Sequence, residues 1–157
     1  MKKCIFMAVL PLIILISSCS KDQKVVRQLE GEWKTTSMTS DGTAMDKSSY
    51  ESFTYVFTKC KVSKGDCDGS IKYKVPVIGE FSLPFKYAIA ESGKKIVINI
   101  IIENEIIKAM IGAENQTINA EIIEHSKTKF IYSYEQTEMD ENGIPVTHKY
   151  IATLERI

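Results

Sequence analysis

"FIYSYEQTEMDENGIPVTHKYIATLERI", residues 130–157, ends the chain on two runs that alternate with period two. Phe130, Tyr132 and Tyr134 share one side of an extended backbone. After the interruption, Val146, His148, Tyr150, Ala152 and Leu154 alternate with Thr147, Lys149, Ile151 and Thr153. Successive side chains of a strand point to opposite faces, so this pattern reads as two half-buried strands. Asn142-Gly143 between them predicts a hairpin with a two-residue turn, because that pair adopts positive φ at low cost.

The same period recurs upstream. Phe53, Tyr55 and Phe57 alternate with Thr54, Val56 and Thr58, and Ile71, Tyr73, Val75 and Val77 alternate with Lys72, Lys74 and Pro76. Phe85, Tyr87 and Ile89 follow, then Ile96, Ile98, Ile100 and Ile102, then Ile118, Ala120 and Ile122. Residues 103–111, "ENEIIKAMI", fit a short helix or a strand, and are read as a strand. Asp41-Gly42, Gly65, Gly79, Pro84, Ser92-Gly93 and Gly112 punctuate the runs. Val25-Val26-Arg27-Gln28-Leu29 is the one helical hint, a short turn before the first strand. About eight short strands at close spacing predict an all-β, up-and-down antiparallel barrel, since closure removes the exposed sheet edges. No linker or repeat divides it, so residues 25–157 are expected to form one domain.

The amino terminus reads differently. Lys2 and Lys3 precede thirteen uncharged apolar positions, Cys4 to Ile16, interrupted by Pro11. A membrane-spanning helix needs roughly 20 apolar residues. A basic start, a short apolar run and small residues make a secretory signal. Ile16-Ser17-Ser18-Cys19 resembles the bacterial lipobox. The resemblance implies cleavage before Cys19, a lipid on its thiol and acylation of the new amino terminus, which together hold a protein stably to a membrane. An uncleaved anchor or a plain secreted protein are the alternatives. On this reading residues 1–18 are the signal peptide and residues 19–24 a lipidated tether. Ser20 in place of Asp implies the outer membrane under the Gram-negative sorting pattern, facing either the periplasm or the surface. Lys21-Asp22 resembles the Lys-plus-acidic export tag of Bacteroidota lipoproteins.

Past the tether, "LEGEWKTTS", residues 29–37, sets a Gly31-x-Trp33 motif at the start of the first strand. The stretch resembles the opening of lipocalins and, after a lipobox, the lipocalin-like lipoproteins of Bacteroidota. The resemblance implies that Trp33 closes one barrel end and that Arg156, near the end of the last strand, packs on it as a cation–π pair.

Removal of residues 1–18 leaves 139 of 157 residues, enough for one domain with a core. It takes Lys2 and Lys3 away, so 18 basic residues face 20 acidic ones, a formal charge of −2. No basic excess points to nucleic acid. Cys60 and Cys67 then remain, separated by a turn-like Lys64-Gly65-Asp66. In an exported domain they are expected to pair as a disulfide. A metal site is disfavoured, because Cys-x-x-Cys is absent and Asp66-Cys67-Asp68-Gly69 lacks the spacing of a calcium loop.

No catalytic constellation is evident: His125 is expected in a turn and His148 on an apolar face as a hydrogen-bonded core residue. There is no phosphate loop, and neither an enzyme nor a cofactor is expected. The candidate pocket lining is Tyr55, Phe57, Tyr73, Tyr87, Tyr132, Tyr134, His148 and Tyr150. Those rings either surround a small apolar or amphipathic ligand or simply fill the barrel. A filled barrel would be an interaction module for an envelope protein or glycan.

Overall fold

A computed structural model describes residues 21–75, 79–103, 108 and 115–157. The expected signal peptide, Cys19 and most of the strand expected at 103–111 lie outside the described residues.

A helix, α1, occupies residues 21–29 and leads directly into the first strand. Residues 21–24, expected as tether, are therefore helical. Val25, Val26 and Leu29 fall on one face and are buried, whereas Lys24 and Arg27 are exposed. Two adjacent valines are poor helix formers, so burial of this face holds the turn together.

The strands are β1 (Gly31–Ser40), β2 (Thr43–Ala44), β3 (Phe53–Phe57), β4 (Cys67–Val75), β5 (Gly79–Ala90), β6 (Lys95–Ile101), β7 (Asn115–His125), β8 (Lys129–Met139) and β9 (Pro145–Arg156). Every neighbouring pair is antiparallel, and β1 also pairs with β9. Because β2 is only a two-residue extension beside β1, the closed barrel has eight strands in up-and-down order. Two irregularities bend the wall, one between Thr35 and Ser37 in the β1–β9 pair and one between Ile122 and Glu124 in the β7–β8 pair. Each leaves an extra residue out of register, which kinks and twists the strand. At the second, Ile123 is turned outward and is 56% exposed.

Two turn expectations change in detail. The β8–β9 hairpin is where Asn142-Gly143 predicts it, but the loop has three residues rather than two. The Gly143 N–H donates to the Asp140 carbonyl at 2.9 Å, and the Asp140 N–H donates to the Ile144 carbonyl at 2.9 Å. Gly143 alone takes positive φ, 76°, while Asn142 does not. The Asp140 carboxylate accepts from the N–H groups of Asn142 and Ile144, which favours this turn over a two-residue one. Pro84, expected as a breaker, sits inside β5. It is tolerated because β5 pairs with β6 only from Phe85–Ile100 onward, so no ladder bond is required of position 84 on that side.

One end of the barrel is solid. Trp33, Phe57, Phe85, Tyr87 and Phe130 are each 2% exposed or less and meet edge to face, with Phe57 5.5 Å from Phe85 and 5.1 Å from Tyr87. Burying each such side chain contributes about 1.5–3 kcal/mol. Gly69 makes this stacking possible: it stands opposite Phe85, and a Cβ there would lie 2.3 Å from two ring carbons.

Three elements close this end. Helix α1 lies against the β5–β6 turn, where a Cβ at Gly93 would come within 2.9 Å of Val25. The disulfide Cys60–Cys67 closes the β3–β4 connection, with Cα atoms 5.6 Å apart. Gln23 of the helix clamps that loop twice, donating to the Cys60 carbonyl and accepting from the Val62 N–H, both at 3.0 Å.

Candidate functional site

The third closing element is the Gly31-x-Trp33 motif with Arg156. The Trp33 indole N–H donates to the Leu29 carbonyl at 2.6 Å, which fixes its ring beneath the helix. The Arg156 guanidinium lies 4.9 Å from the centre of that ring. It also donates to the Gln28 carbonyl at 2.6 Å and to the Lys127 carbonyl of the β7–β8 turn. A cation at the last carbonyls of a helix satisfies otherwise orphaned acceptors. Gly31 is required twice over: its φ is 126°, and a Cβ there would stand 2.6 Å from an Arg156 nitrogen. This plug supports the fold, and Gly31, Trp33 and Arg156 are not among the residues that line the cavity at the other end.

The opposite end holds a cavity of about 270 Å³. Thr35 and Met38 of β1, Phe53 and Tyr55 of β3 and Ile71 of β4 form one side; Ile118 of β7, Tyr132, Tyr134 and Gln136 of β8 and Tyr150 and Ala152 of β9 form the other. Met45, Ser49 and Tyr50, from the β2–β3 connection, roof part of it. That connection is held by a one-turn 3-10 helix, Lys47–Ser49, whose cap Asp46 accepts from the Ser48 N–H at 2.8 Å.

Tyr132, Tyr134 and Tyr150 form a row of nearly parallel rings. Tyr134 stands opposite Tyr150 in the ladder, with centroids 5.2 Å apart and planes 18° apart, and Tyr132 lies 6.1 Å from Tyr134. Burial pushes the phenols of Tyr55, Tyr132, Tyr134 and Tyr150 up from their ordinary range. All four remain protonated donors at neutral pH. Among the described lining residues none carries a charge.

The expected lining therefore divides. Tyr55, Tyr132, Tyr134 and Tyr150 meet at the cavity. Phe57 and Tyr87 lie in the solid end, because the barrel tapers to a plug below them. Tyr73 is on the open rim outside the lining, stacked on Phe81 with centroids 5.5 Å apart. His148 is not a core residue. It sits at the rim, its side chain 35% exposed, with Nδ1 2.7 Å from the Asp41 carboxylate. Asp41 also accepts from the Lys149 N–H at 2.9 Å, and that bond, followed by the one to His148, holds its carboxyl below the usual range. His125 is the last residue of β7 rather than part of the turn, and its Nδ1 lies 2.7 Å from the Gln28 side-chain oxygen at the closed end.

Sequence reading leaves Thr35, Phe53, Ile71, Ile118, Gln136 and Ala152 out of the lining and has no signal for Met38, Met45, Ser49 and Tyr50. Met38 follows the irregularity after Thr35, which disturbs the simple alternation along β1, and the other three belong to a connection with no period.

A second depression, about 690 Å³ and open to solvent, lies on the wall between β6 and β9. Toward the open end β7 pairs with β8 no further than Ala120–Tyr134, whereas β8 continues with β9 to Met139–Pro145. Lys95, Glu121, Glu135 and Lys149 give this depression mixed charge.

No family model matches the chain, and no curated protein matches it by sequence. Among solved structures, the chain is similar to a lipocalin-like protein from Bacteroides uniformis, at a TM-score of 0.54 and 15% identity over 83% of this chain and 99% of that one. It is also similar to a redesigned β-barrel, at a TM-score of 0.50 and 17% identity over 85% of this chain and 95% of that one. At such identities the likeness speaks to the lipocalin-like barrel fold alone.

Proposed function

We propose that this barrel is a non-enzymatic binding protein that takes a small apolar or amphipathic molecule into the cavity at its open end. The observation that carries the reading is the division of the interior into a solid end beneath helix α1 and a cavity lined by Tyr55, Tyr132, Tyr134 and Tyr150. A barrel of eight strands is about wide enough to fill or to hold one small ligand, and this one does each at a different end. A concave, mostly apolar site with a few polar groups is the usual form of a small-molecule site.

The same reading places the protein at the outer membrane as a lipoprotein anchored through Cys19. What supports it is the lipobox-like Ile16-Ser17-Ser18-Cys19 and a disulfide, which suits an oxidising compartment. Helix α1 is already formed at residue 21 and lies on the closed end. An anchor two residues upstream would hold that end at the bilayer and turn the cavity mouth away from it. Cys19→Ala should release the protein from the membrane fraction; retention at the wild-type level contradicts the anchor.

For the cavity, native mass spectrometry of protein purified from its own cells should show a small bound mass that the cavity-filling variant Ala152→Leu lacks. Identical spectra contradict the reading. One observation favours a second one, an envelope partner on the outside: the β8–β9 tip exposes Met139 at 71% and Ile144 at 58%. Replacing both with Ser would abolish such docking and leave cavity binding intact.

A further inference from the structure

We infer that the cavity selects a neutral molecule of one or two fused rings that bears a hydrogen-bond acceptor, such as a ring ketone, a lactone or a neutral heterocycle. The inference rests on the reading of the barrel as a small-molecule binder and narrows it from any apolar or amphipathic guest to one chemistry.

Size sets the first limit. An apolar cavity of about 150 Å³ suffices for benzene, and drug-sized ligands occupy pockets of about 300–1,000 Å³. A space of about 270 Å³ lies between them and fits one ring or two fused rings. Shape sets the second. Tyr132, Tyr134 and Tyr150 form a flat-faced row, with Tyr134 and Tyr150 only 18° from parallel. The rings stack on one another and brace a stiff wall, which packs a rigid ring guest better than a flexible chain that would lose its freedom on entering. Met38 and Met45 add polarisable sulfur to the walls.

Charge sets the third. Among the described lining residues there is no Lys, Arg or His to meet a carboxylate or phosphate, and no Asp or Glu to meet an amine. A charged guest would lose its hydration without a partner, which costs several kcal/mol. The polar groups present are phenol and serine hydroxyls, the Thr35 hydroxyl and the Gln136 amide. The phenols of Tyr55, Tyr132 and Tyr134 are protonated at neutral pH and offer O–H donors to a guest that accepts, whereas the Tyr150 hydroxyl already donates to Glu138. At the rim, among the described residues, His148 contacts Asp41 and the Tyr150 hydroxyl donates to Glu138 at 3.4 Å, so these two carboxylates already have partners.

The test uses the mature lipidated chain in phospholipid nanodiscs, with empty nanodiscs as the blank, and isothermal titration with four probes. They are coumarin, naphthalene, coumarin-3-carboxylate and decanoate. Coumarin should bind. Coumarin-3-carboxylate and decanoate should be at least tenfold weaker, and naphthalene, which lacks the acceptor, weaker by severalfold. Tyr134→Phe, which retains the ring, should narrow the gap between coumarin and naphthalene. If the carboxylate or decanoate matches or exceeds coumarin, the ligand chemistry is wrong and the binding reading stands. If none of the four probes binds, the cavity-binder reading falls, and this inference with it.

Discussion

Arg156 stands directly opposite Trp33 in the β1–β9 ladder, its guanidinium 4.9 Å from the indole centre. The pair joins the first strand to the last, and the same guanidinium reaches the helix at Gln28 and the β7–β8 turn at Lys127. Gly31 is what lets it approach. One arginine therefore ties the barrel seam, the helix and the solid end together.

Arg156→Met should lower the unfolding free energy by about 2 kcal/mol, from loss of the cation–π contact and of hydrogen bonds to carbonyls. Urea denaturation followed by Trp33 fluorescence measures it. A change below about 0.5 kcal/mol would show that the arginine is an ornament of the surface.

Gly69→Ala should destabilise by about 1–3 kcal/mol, because the added Cβ overlaps the Phe85 ring and overpacks the solid end. Combining it with Phe85→Leu should recover part of the loss relative to the sum of the single changes. Strict additivity in thermal melts would mean that the two positions do not share space.

Reduction of Cys60–Cys67 frees a short loop and should cost about 2.5 kcal/mol by the loop-entropy relation. Comparing denaturation with and without reductant reads it. Equal midpoints would place the stabilisation of the β3–β4 connection in the Gln23 clamp instead.

His125 should give the protein a mild pH dependence. Burial, and then the charge of Lys24, lower its pKa below the ordinary 6.5. The unfolded chain thus takes up the proton before the folded one, so this contribution is complete above pH 6.5 and is lost as pH falls through the folded value. Denaturation midpoints should decline on acidification through this window, and less steeply in His125→Gln. Parallel declines in the two proteins would show that His125 does not carry the effect.

The barrel was legible because its alternation is simple. Residues 130–134 and 146–154 carry the period without interruption, and each strand pairs with its sequence neighbour. The lining was only half legible. Alternation says which side of a strand a ring occupies, not how far along the barrel it lies, so Phe57 and Tyr87 were grouped with Tyr134 and Tyr150 although they belong to the plug. Gly69 was invisible for the same reason: its role comes from a cross-strand partner, Phe85, sixteen residues later. The rim position of His148 depends on Asp41, more than a hundred residues away, and no local pattern encodes that pair.

The most direct test of the central claim is a methyl NMR titration of the mature chain with coumarin. The Ile118, Met38 and Met45 methyls, which line the cavity, should shift in a saturable way. Those of Val25, Leu29 and Ile96 at the closed end should stay in place, and Ala152→Leu should abolish the response. Shifts confined to the outer wall or to the β8–β9 tip, or a response that survives Ala152→Leu, would contradict a binding cavity at the open end.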